Sequence, residues 1–289
     1  YLRAGEIPDS MSDSVREAAV SVNNAIDRFR DSVNSDPEFA LYKLLVGYES
    51  VFPDAWERRE MDIEADNAYR ETEVTKLIDK VTPDSADTWF SRLQLFAATK
   101  SNDLATFPAL GKFLRNLGLK KPDIALDYLS RIGGPLEAFV PALLNGISES
   151  SRAADGRQLS AKWIAENTHL DGVMRHYRSF PPPNKQVLEN GLRAAISEER
   201  HAAVVDAIMA AAEHHTSGTN EFIDSVLLPA IDYLTEQRRF SWADELAFAA
   251  RNSKILEDLS EAQRVDLLEN LAKKPEISFR EERLLQMLI

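Results

Sequence analysis

The sequence predicts an all-α fold, an α-solenoid in which antiparallel helix pairs stack into a helical-repeat superhelix. Apolar residues recur at helical spacing along nearly the whole chain, as they do between Phe222 and Leu234. The 289 residues include only 11 Gly and 13 Pro, so few positions favour tight hairpin turns. The connections are short and contain no alternating apolar and polar stretch, so consecutive helices are expected to pack as antiparallel hairpins.

Helix starts are marked by side chains that accept hydrogen bonds from the first free backbone N–H groups. A Ser followed three residues later by Glu or Gln, the spacing of a capping box, occurs at 14–17, 260–263 and 278–281. A capping residue followed by Pro occurs at Asp36–Pro37 and Thr82–Pro83. With the apolar periodicity, these signals predict fifteen helices, at roughly 12–33, 37–50, 54–81, 84–99, 104–117, 122–131, 136–149, 157–167, 171–179, 184–197, 200–215, 220–236, 241–252, 260–273 and 278–288.

The proline run at 181–183 is the best candidate for an internal boundary, because three prolines hold the backbone extended. We therefore predict N-terminal helices over residues 1–82, a helical-repeat region over 83–180, and a repeat region over 181–289 that continues the same solenoid. The N-terminal part includes a long acidic helical arm, since residues 54–87 carry eleven acidic and five basic side chains. We expect this arm to be the most exposed helical part of the chain.

Two short strings recur along the chain. An apolar residue, Pro-Ala and a branched aliphatic residue occur at 107–110, 140–143 and 228–231, and an Ala-aliphatic-Asp-Tyr-Leu string occurs at 125–129 and 230–234. In these strings the chain resembles HEAT-like and tetratricopeptide-like solenoids, whose repeats span about 34 to 47 residues. The resemblance implies paired antiparallel helices and an extended binding surface rather than a catalytic pocket. We expect the proline of each Pro-Ala string to lie within a helix or in its first turn.

Composition disfavours several classes of function. The net charge of −13 repels phosphate, which opposes broad binding to nucleic acid or to an anionic membrane. The chain has no Cys for disulfides or thiolate chemistry, and no apolar run reaches the ~18 residues that span a bilayer, so we expect a cytoplasmic protein. It begins at Tyr1 in a polar stretch unlike a signal peptide, which we interpret as the start of a fragment of a longer protein.

The sequence predicts no cofactor and no metal site. Neither the Gly-rich phosphate-binding loop nor the dinucleotide-binding glycine motif occurs. His201 and His214 are thirteen residues apart on one predicted helix, a separation of about 20 Å, so they cannot share a metal ion. His214 and His215 end that helix, where an imidazolium interacts favourably with the negative end of the helix dipole.

Three clusters of cations, two of which include an aromatic residue, are the candidate partner-binding residues. They are Lys112, Arg115, Lys120 and Lys121; Arg175, Tyr177 and Arg178; and Arg238, Arg239 and Trp242. We hypothesise that at least two clusters face one surface and bind an acidic segment of a partner protein or of the same full-length chain. The structural alternatives are a solvated helix end for the lysines and packing between helices for Trp242.

These features predict a protein-interaction, sensor or scaffold region of a larger multidomain protein, which binds a protein or peptide on the solenoid surface. The layout is similar to that of bacterial signalling and defence proteins, an analogy of architecture alone. Two alternatives remain open, an all-α enzyme whose acids and bases meet only in the fold and a nucleic-acid-binding helical repeat. A deep pocket with several ionisable side chains favours the enzyme, and a shallow groove favours the scaffold.

Overall fold

The computed structural model describes residues 12–47, 63–101, 106–182, 184–251, 253–276 and 278–289. These residues contain fifteen α-helices and no β-strand, so the predicted all-α class is confirmed for them. The helices are α1 (Asp13–Asn34), α2 (Pro37–Leu45), α3 (Ile63–Lys80), α4 (Ala86–Ala97), α5 (Pro108–Lys120), α6 (Pro122–Ser130), α7 (Val140–Ser148), α8 (Ala153–Ala165), α9 (Leu170–Ser179), α10 (Lys185–Ser197), α11 (His201–Glu213), α12 (Leu228–Glu236), α13 (Ser241–Ala249), α14 (Glu261–Ala272) and α15 (Phe279–Leu288). Short 3₁₀ or π segments occur at Pro83–Ser85, Gly134–Phe139 and Ile223–Leu227.

Each predicted helix overlaps one of these helices in chain order. The predicted end of α2 and the predicted start of α3, at residues 50 and 54, lie outside the described residues. The prediction also places one regular helix over 220–236, whereas a π turn precedes α12. Pro229 gives the reason, because it has no N–H and its ring clashes within a regular helical turn. In the wider turn, the Leu227 N–H donates to the Phe222 carbonyl at 2.9 Å.

The prolines of the three Pro-Ala strings all lie in the first turn of a helix, as predicted. Pro108 is the first residue of α5, and Pro141 and Pro229 are the second residues of α7 and α12. The capping boxes at Ser260–Gln263 and Ser278–Glu281 form as the spacing predicts. The pair at 14–17 does not cap a helix, because α1 already begins at Asp13.

Contacts divide the chain into two compact units, residues 1–116 and 117–289. In the first unit α2 packs against α1 and α3, and Trp89 of α4 stacks on Phe113 of α5 with ring centroids 5.5 Å apart. Arg70 of α3 donates to the carbonyls of Leu44 at 2.7 Å and Gly47 at 2.5 Å. A guanidinium thereby satisfies free carbonyls at the C-terminal end of α2.

The acidic helix α3 is part of the first unit rather than a free arm. Its apolar residues between 74 and 78 are buried, since α3 packs against α2. Asp66 is buried as well, whereas Glu64 is exposed, and Asp62 lies outside the described residues. The expectation that this region is the most exposed helical part is wrong for its described residues, because α1 has no buried residue. The stripe of Val74, Leu77 and Ile78 is wide enough to require a neighbour.

The second unit arranges most of its helices in two rows. α7 packs against α9, α9 against α11, α11 against α13, and α13 against α15. We call these five helices the odd row. α8 packs against α10 and α12 against α14, and we call these four helices the even row. Helices adjacent in sequence, such as α8 and α9 or α10 and α11, connect the rows. The predicted boundary at residue 181 therefore lies inside one compact unit, between α9 and α10, which contact each other.

Helix α11 is the centre of the second unit. Nine of its thirteen residues are buried, and six of those nine are Ala or Val. Small side chains let α9, α10, α12 and α13 all pack against this one helix. Asp206 is the one charged residue among the nine.

Candidate partner-binding surface

Arg175 and Arg178 of α9 converge on the buried carboxylate of Asp206 in α11. Arg178 Nη1 donates to Asp206 Oδ1 at 3.0 Å, and Arg175 Nε donates to Asp206 Oδ2 at 3.4 Å. Arg178 Nη2 also reaches Glu245 Oε2 of α13 at 3.5 Å. The two arginines meet one partner because residues three apart lie on the same helix face. We call these four residues the Asp206 cluster, and it links three successive helices of the odd row.

The charges of the Asp206 cluster have opposing effects on its aspartate. Asp206 is only 2% exposed, and burial raises the pKa of its carboxyl although Arg175 and Arg178 act to lower it. A buried anion requires such partners, since an unpaired buried charge is strongly destabilising. Arg178 is mostly covered, whereas the Arg175 side chain is 60% exposed. The cluster therefore uses its arginines mainly to neutralise Asp206.

A cleft between α13 and α15 holds a second pair of arginines. It has a volume of about 240 Å³ and is lined by Asp244, Ala247, Phe248, Arg251 and Arg283. We call it the arginine cleft. The Arg251 guanidinium lies 5.7 Å from the centroid of the Phe248 ring, a cation–π distance. Among the described residues neither Arg251 nor Arg283 has a carboxylate partner, and Phe248 is 57% exposed.

The acidic residue of the arginine cleft is oriented by the start of α15. Asp244 Oδ1 accepts a hydrogen bond from Ser278 Oγ at 3.1 Å, and Ser278 is the N-cap of α15.

The arginine cleft was not predicted from the sequence, since Arg251 and Arg283 are far apart in the chain. One signal was present. The buried residues of α13 include Trp242 and Leu246, and Phe248 falls outside that stripe as an aromatic residue on the polar face.

Two of the predicted partner-binding residues are core residues. Tyr177 is 2% exposed and Trp242 is fully buried. Both lie on the inner faces of odd-row helices, so neither ring is available to a partner in this structure. Burial raises the pKa of Tyr177 to about 12. For Trp242 this is the packing alternative that the sequence left open.

The remaining predicted cations are exposed or partly exposed at separate places. Arg238 and Arg239 are exposed in the turn between α12 and α13, where Arg238 adopts the left-handed conformation with φ 54°. Lys112 is ion-paired with Glu71. Lys112 and Arg115 belong to the first unit, whereas Lys120 and Lys121 follow the unit boundary inside α5. Of the candidate residues, Arg175 and Arg178 share one partner, Asp206.

Three histidines of the second unit make structural hydrogen bonds. His176 is buried, and its Nδ1 lies 2.6 Å from Asn145 Oδ1. Burial lowers the pKa of His176 to about 4. His214 Nε2 donates to the Tyr177 carbonyl at 2.7 Å, and His215 Nε2 lies 2.7 Å from Asp258 Oδ2. In the described residues no three His, Asp or Glu side chains are grouped so that they could hold a metal ion.

A larger cleft in the first unit contains several charged side chains. It has a volume of about 440 Å³, between α2, α3 and α4. Its charged lining residues are Glu38, Lys43, Glu73, Lys80 and Arg92. Arg92 Nε donates to Glu38 Oε2 at 2.7 Å, so these two charges neutralise each other.

No helix in the described ranges is long and apolar enough to cross a membrane. Comparisons of the chain with protein-family models, with curated proteins and with solved structures found no match in any of the three.

Proposed function

We propose that the chain is a protein-interaction region whose second unit is an α-solenoid and binds a segment of a partner protein along the odd row. The arrangement of contacts supports the solenoid, because each odd-row helix packs on the next and even-row helices also pair in alternation. Stacked helix pairs of this kind bury one side against neighbours and leave a continuous surface for recognition.

The observation that carries the proposal is the arginine cleft. Arginine and aromatic side chains dominate the binding energy of protein interfaces, and here an exposed Phe248 lies 5.7 Å from the Arg251 guanidinium in a cleft that Arg283 also lines. An exposed aromatic residue on a polar helix face contributes little to folding, so its contact area is available for a partner. Arg175 of α9 adds a second exposed cationic side chain to the odd row.

The proposal is tested with an array of 15-residue peptides of varied composition, probed with the purified chain. Phe248→Ala is expected to abolish or strongly reduce peptide binding, because it removes the apolar contact of the cleft. Arg193→Ala is the matched control, since Arg193 is exposed on α10 in the even row. The absence of peptide binding, or equal binding by Phe248→Ala and the parent chain, contradicts the proposal.

The same protein distinguishes the nucleic-acid alternative. A 30-nucleotide single-stranded RNA and DNA are titrated at 50 mM and 200 mM salt. We expect neither strand to show tight binding that weakens steeply as the salt concentration rises, because the net charge of −13 repels a polyanion. Tight, salt-sensitive binding of either strand would favour the nucleic-acid-binding repeat instead.

One observation favours the enzyme alternative, the 440 Å³ cleft of the first unit. Its volume falls within the roughly 300–1,000 Å³ of small-molecule sites, and it contains charged side chains of both signs. A thermal-shift screen of small metabolites tests it, because a ligand that binds only the folded chain raises its melting temperature. A ligand whose stabilisation disappears in Glu38→Gln would make this cleft a functional site.

A further inference from the structure

We propose that the arginine cleft recognises a carboxylate of the partner segment, held between Arg251 and Arg283 next to an apolar residue on Phe248. This inference rests on the proposed function and assigns the chemistry of the segment. The occupant is therefore an acidic peptide segment with an aromatic or aliphatic residue beside the acid.

The first argument is the charge of the cleft. The chain has 47 acidic and 34 basic side chains, so carboxylates outnumber the cations that could pair with them. In the Asp206 cluster two arginines have found a carboxylate, at 3.0 and 3.4 Å. In the arginine cleft the described residues supply none to Arg251 or Arg283, and Asp244 accepts a hydrogen bond from Ser278 instead. A ligand carboxylate would complete the ion pairs that the fold leaves open.

The second argument is size. The cleft volume of about 240 Å³ is below the roughly 300–1,000 Å³ of sites that bind cofactors or other small molecules. A cleft of this volume suits one or two side chains of a peptide. The apolar part of its lining, Ala247 and Phe248, suits the residue that flanks the acid.

The third argument separates a carboxylate from a polyanion. Two cationic side chains are enough for one carboxylate, whereas nucleic acid binds through many phosphate contacts. The net charge of −13 repels such a polymer along its whole length. A single acidic side chain is affected mainly by charges within the Debye length, about 8 Å at physiological salt, and the cleft lining has two cations, Arg251 and Arg283, against one acid, Asp244.

The test uses labelled nine-residue Gly-Ser peptides and fluorescence anisotropy. One peptide has a Glu-Phe-Glu core, a second has a Gln-Phe-Gln core, and a third has the neutral core with a free C-terminal carboxylate beside the Phe. We expect the parent chain to bind the Glu-Phe-Glu peptide at least about tenfold more tightly than its Gln counterpart, and less tightly at 300 mM than at 50 mM salt. Preference for the third peptide would assign the carboxylate to a chain terminus rather than to a side chain.

The decisive variant is R251Q/R283Q, with R157Q/R193Q as its control. The control removes the same charge from exposed arginines of α8 and α10 in the even row. We expect about a tenfold loss of Glu-Phe-Glu binding in R251Q/R283Q and none in the control, with unchanged circular dichroism and melting temperature showing that both fold. Equal binding of the Glu and Gln cores, no binding of any peptide at 1 mM, or tighter binding of a phosphoserine core overturns the carboxylate assignment. The proposed function is judged separately, by whether Phe248→Ala reduces binding on the array.

Discussion

The Asp206 cluster and the arginine cleft each contain two arginines at the odd row, but only the pair in the Asp206 cluster is neutralised by a carboxylate. In the cluster Asp206 is buried beneath Arg175 and Arg178 and accepts from both. Arg251 and Arg283 line the same cleft as the exposed Phe248, and neither has a carboxylate partner in the described residues. The arginines of the first pair complete the fold, and those of the second are the ones that we propose bind a ligand.

In our proposal the partner of an arginine, rather than its position on a surface, separates a structural from a binding role. Arg175 is 60% exposed, which alone would suggest a binding residue. Its contact with a buried anion gives it a structural role all the same, since removing it together with Arg178 would leave that anion without a cation.

The largest expected effect is on the Asp206 cluster. Arg175→Ala/Arg178→Ala leaves the buried Asp206 without a cation, and we expect the free energy of unfolding at pH 7 to fall by about 3 kcal/mol. Guanidinium chloride denaturation followed by circular dichroism measures the change. Burial already raises the pKa of Asp206, so the variant can take up a proton that its unfolded chain does not bind. Its deficit should therefore be smaller at pH 5 than at pH 7.

Asp206→Asn in the same background is the matched control. The amide removes the buried charge and retains most of the shape, so it should recover about half or more of the lost stability. If the double variant is as stable as the parent chain, or if Asp206→Asn recovers nothing, the cluster is not held together by charge.

The second effect concerns the inner side of α9, where His176 is buried. Its pKa is lowered from 6.5 to about 4 by burial, so between these values the unfolded chain binds a proton that the folded chain does not. Stability therefore falls as the pH drops through this window, by about 2 kcal/mol between pH 7 and pH 5. Denaturation curves at both pH values, for the parent chain and His176→Gln, measure this contribution.

His201→Gln is the control for this titration, because His201 lies partly exposed against Tyr233 rather than in the core. It should retain the stability difference between pH 7 and pH 5 that His176→Gln loses. A His176→Gln variant with the same pH dependence as the parent chain would show that His176 is not the group responsible.

The sequence predicted the helices well because helical periodicity and capping are local. All fifteen described helices overlap their predicted ranges, and the capping boxes at Ser260 and Ser278 form. The π turn ahead of Pro229 and the packing of α3 were missed. The π turn follows from the missing N–H and the ring of Pro229, which apolar periodicity does not register, and the packing of α3 depends on its neighbours, which the propensity of single residues does not contain.

The candidate site was predicted only in part, for a related reason. Arg175 and Arg178 are close in sequence, so a cationic cluster could be predicted there. Their partner Asp206 is on another helix, so the sequence did not predict that a carboxylate neutralises them. Tyr177 is buried although the arginines beside it are exposed or partly exposed, because side chains adjacent on a helix point about 100° apart and reach different surroundings. Trp242 is buried within α13, whereas Arg238 and Arg239 lie in the turn before that helix. Arg251 and Arg283 meet only because α13 packs against α15.

A smaller effect is expected for Arg175→Gln alone. Arg175 is 60% exposed and its contact with Asp206 is the longer one, while Arg178 remains in place at 3.0 Å. Ion pairs of exposed side chains contribute little, so the free energy of unfolding should fall by only about 0.5 kcal/mol. Denaturation under the conditions of the double variant measures it. A loss approaching that of the double variant would assign the neutralisation of Asp206 to Arg175 rather than to Arg178.

The smallest expected effect is on the stability of the arginine cleft. R251Q/R283Q removes two cations that have no carboxylate partner in the described part of the chain, so the folded state loses no ion pair. The free energy of unfolding should change by less than about 0.5 kcal/mol, as for most surface substitutions. Phe248→Ala should behave in the same way, because more than half of the ring is already exposed. A loss of about 3 kcal/mol in either variant would make the cleft as structural as the Asp206 cluster, and the distinction between the two arginine pairs would fail.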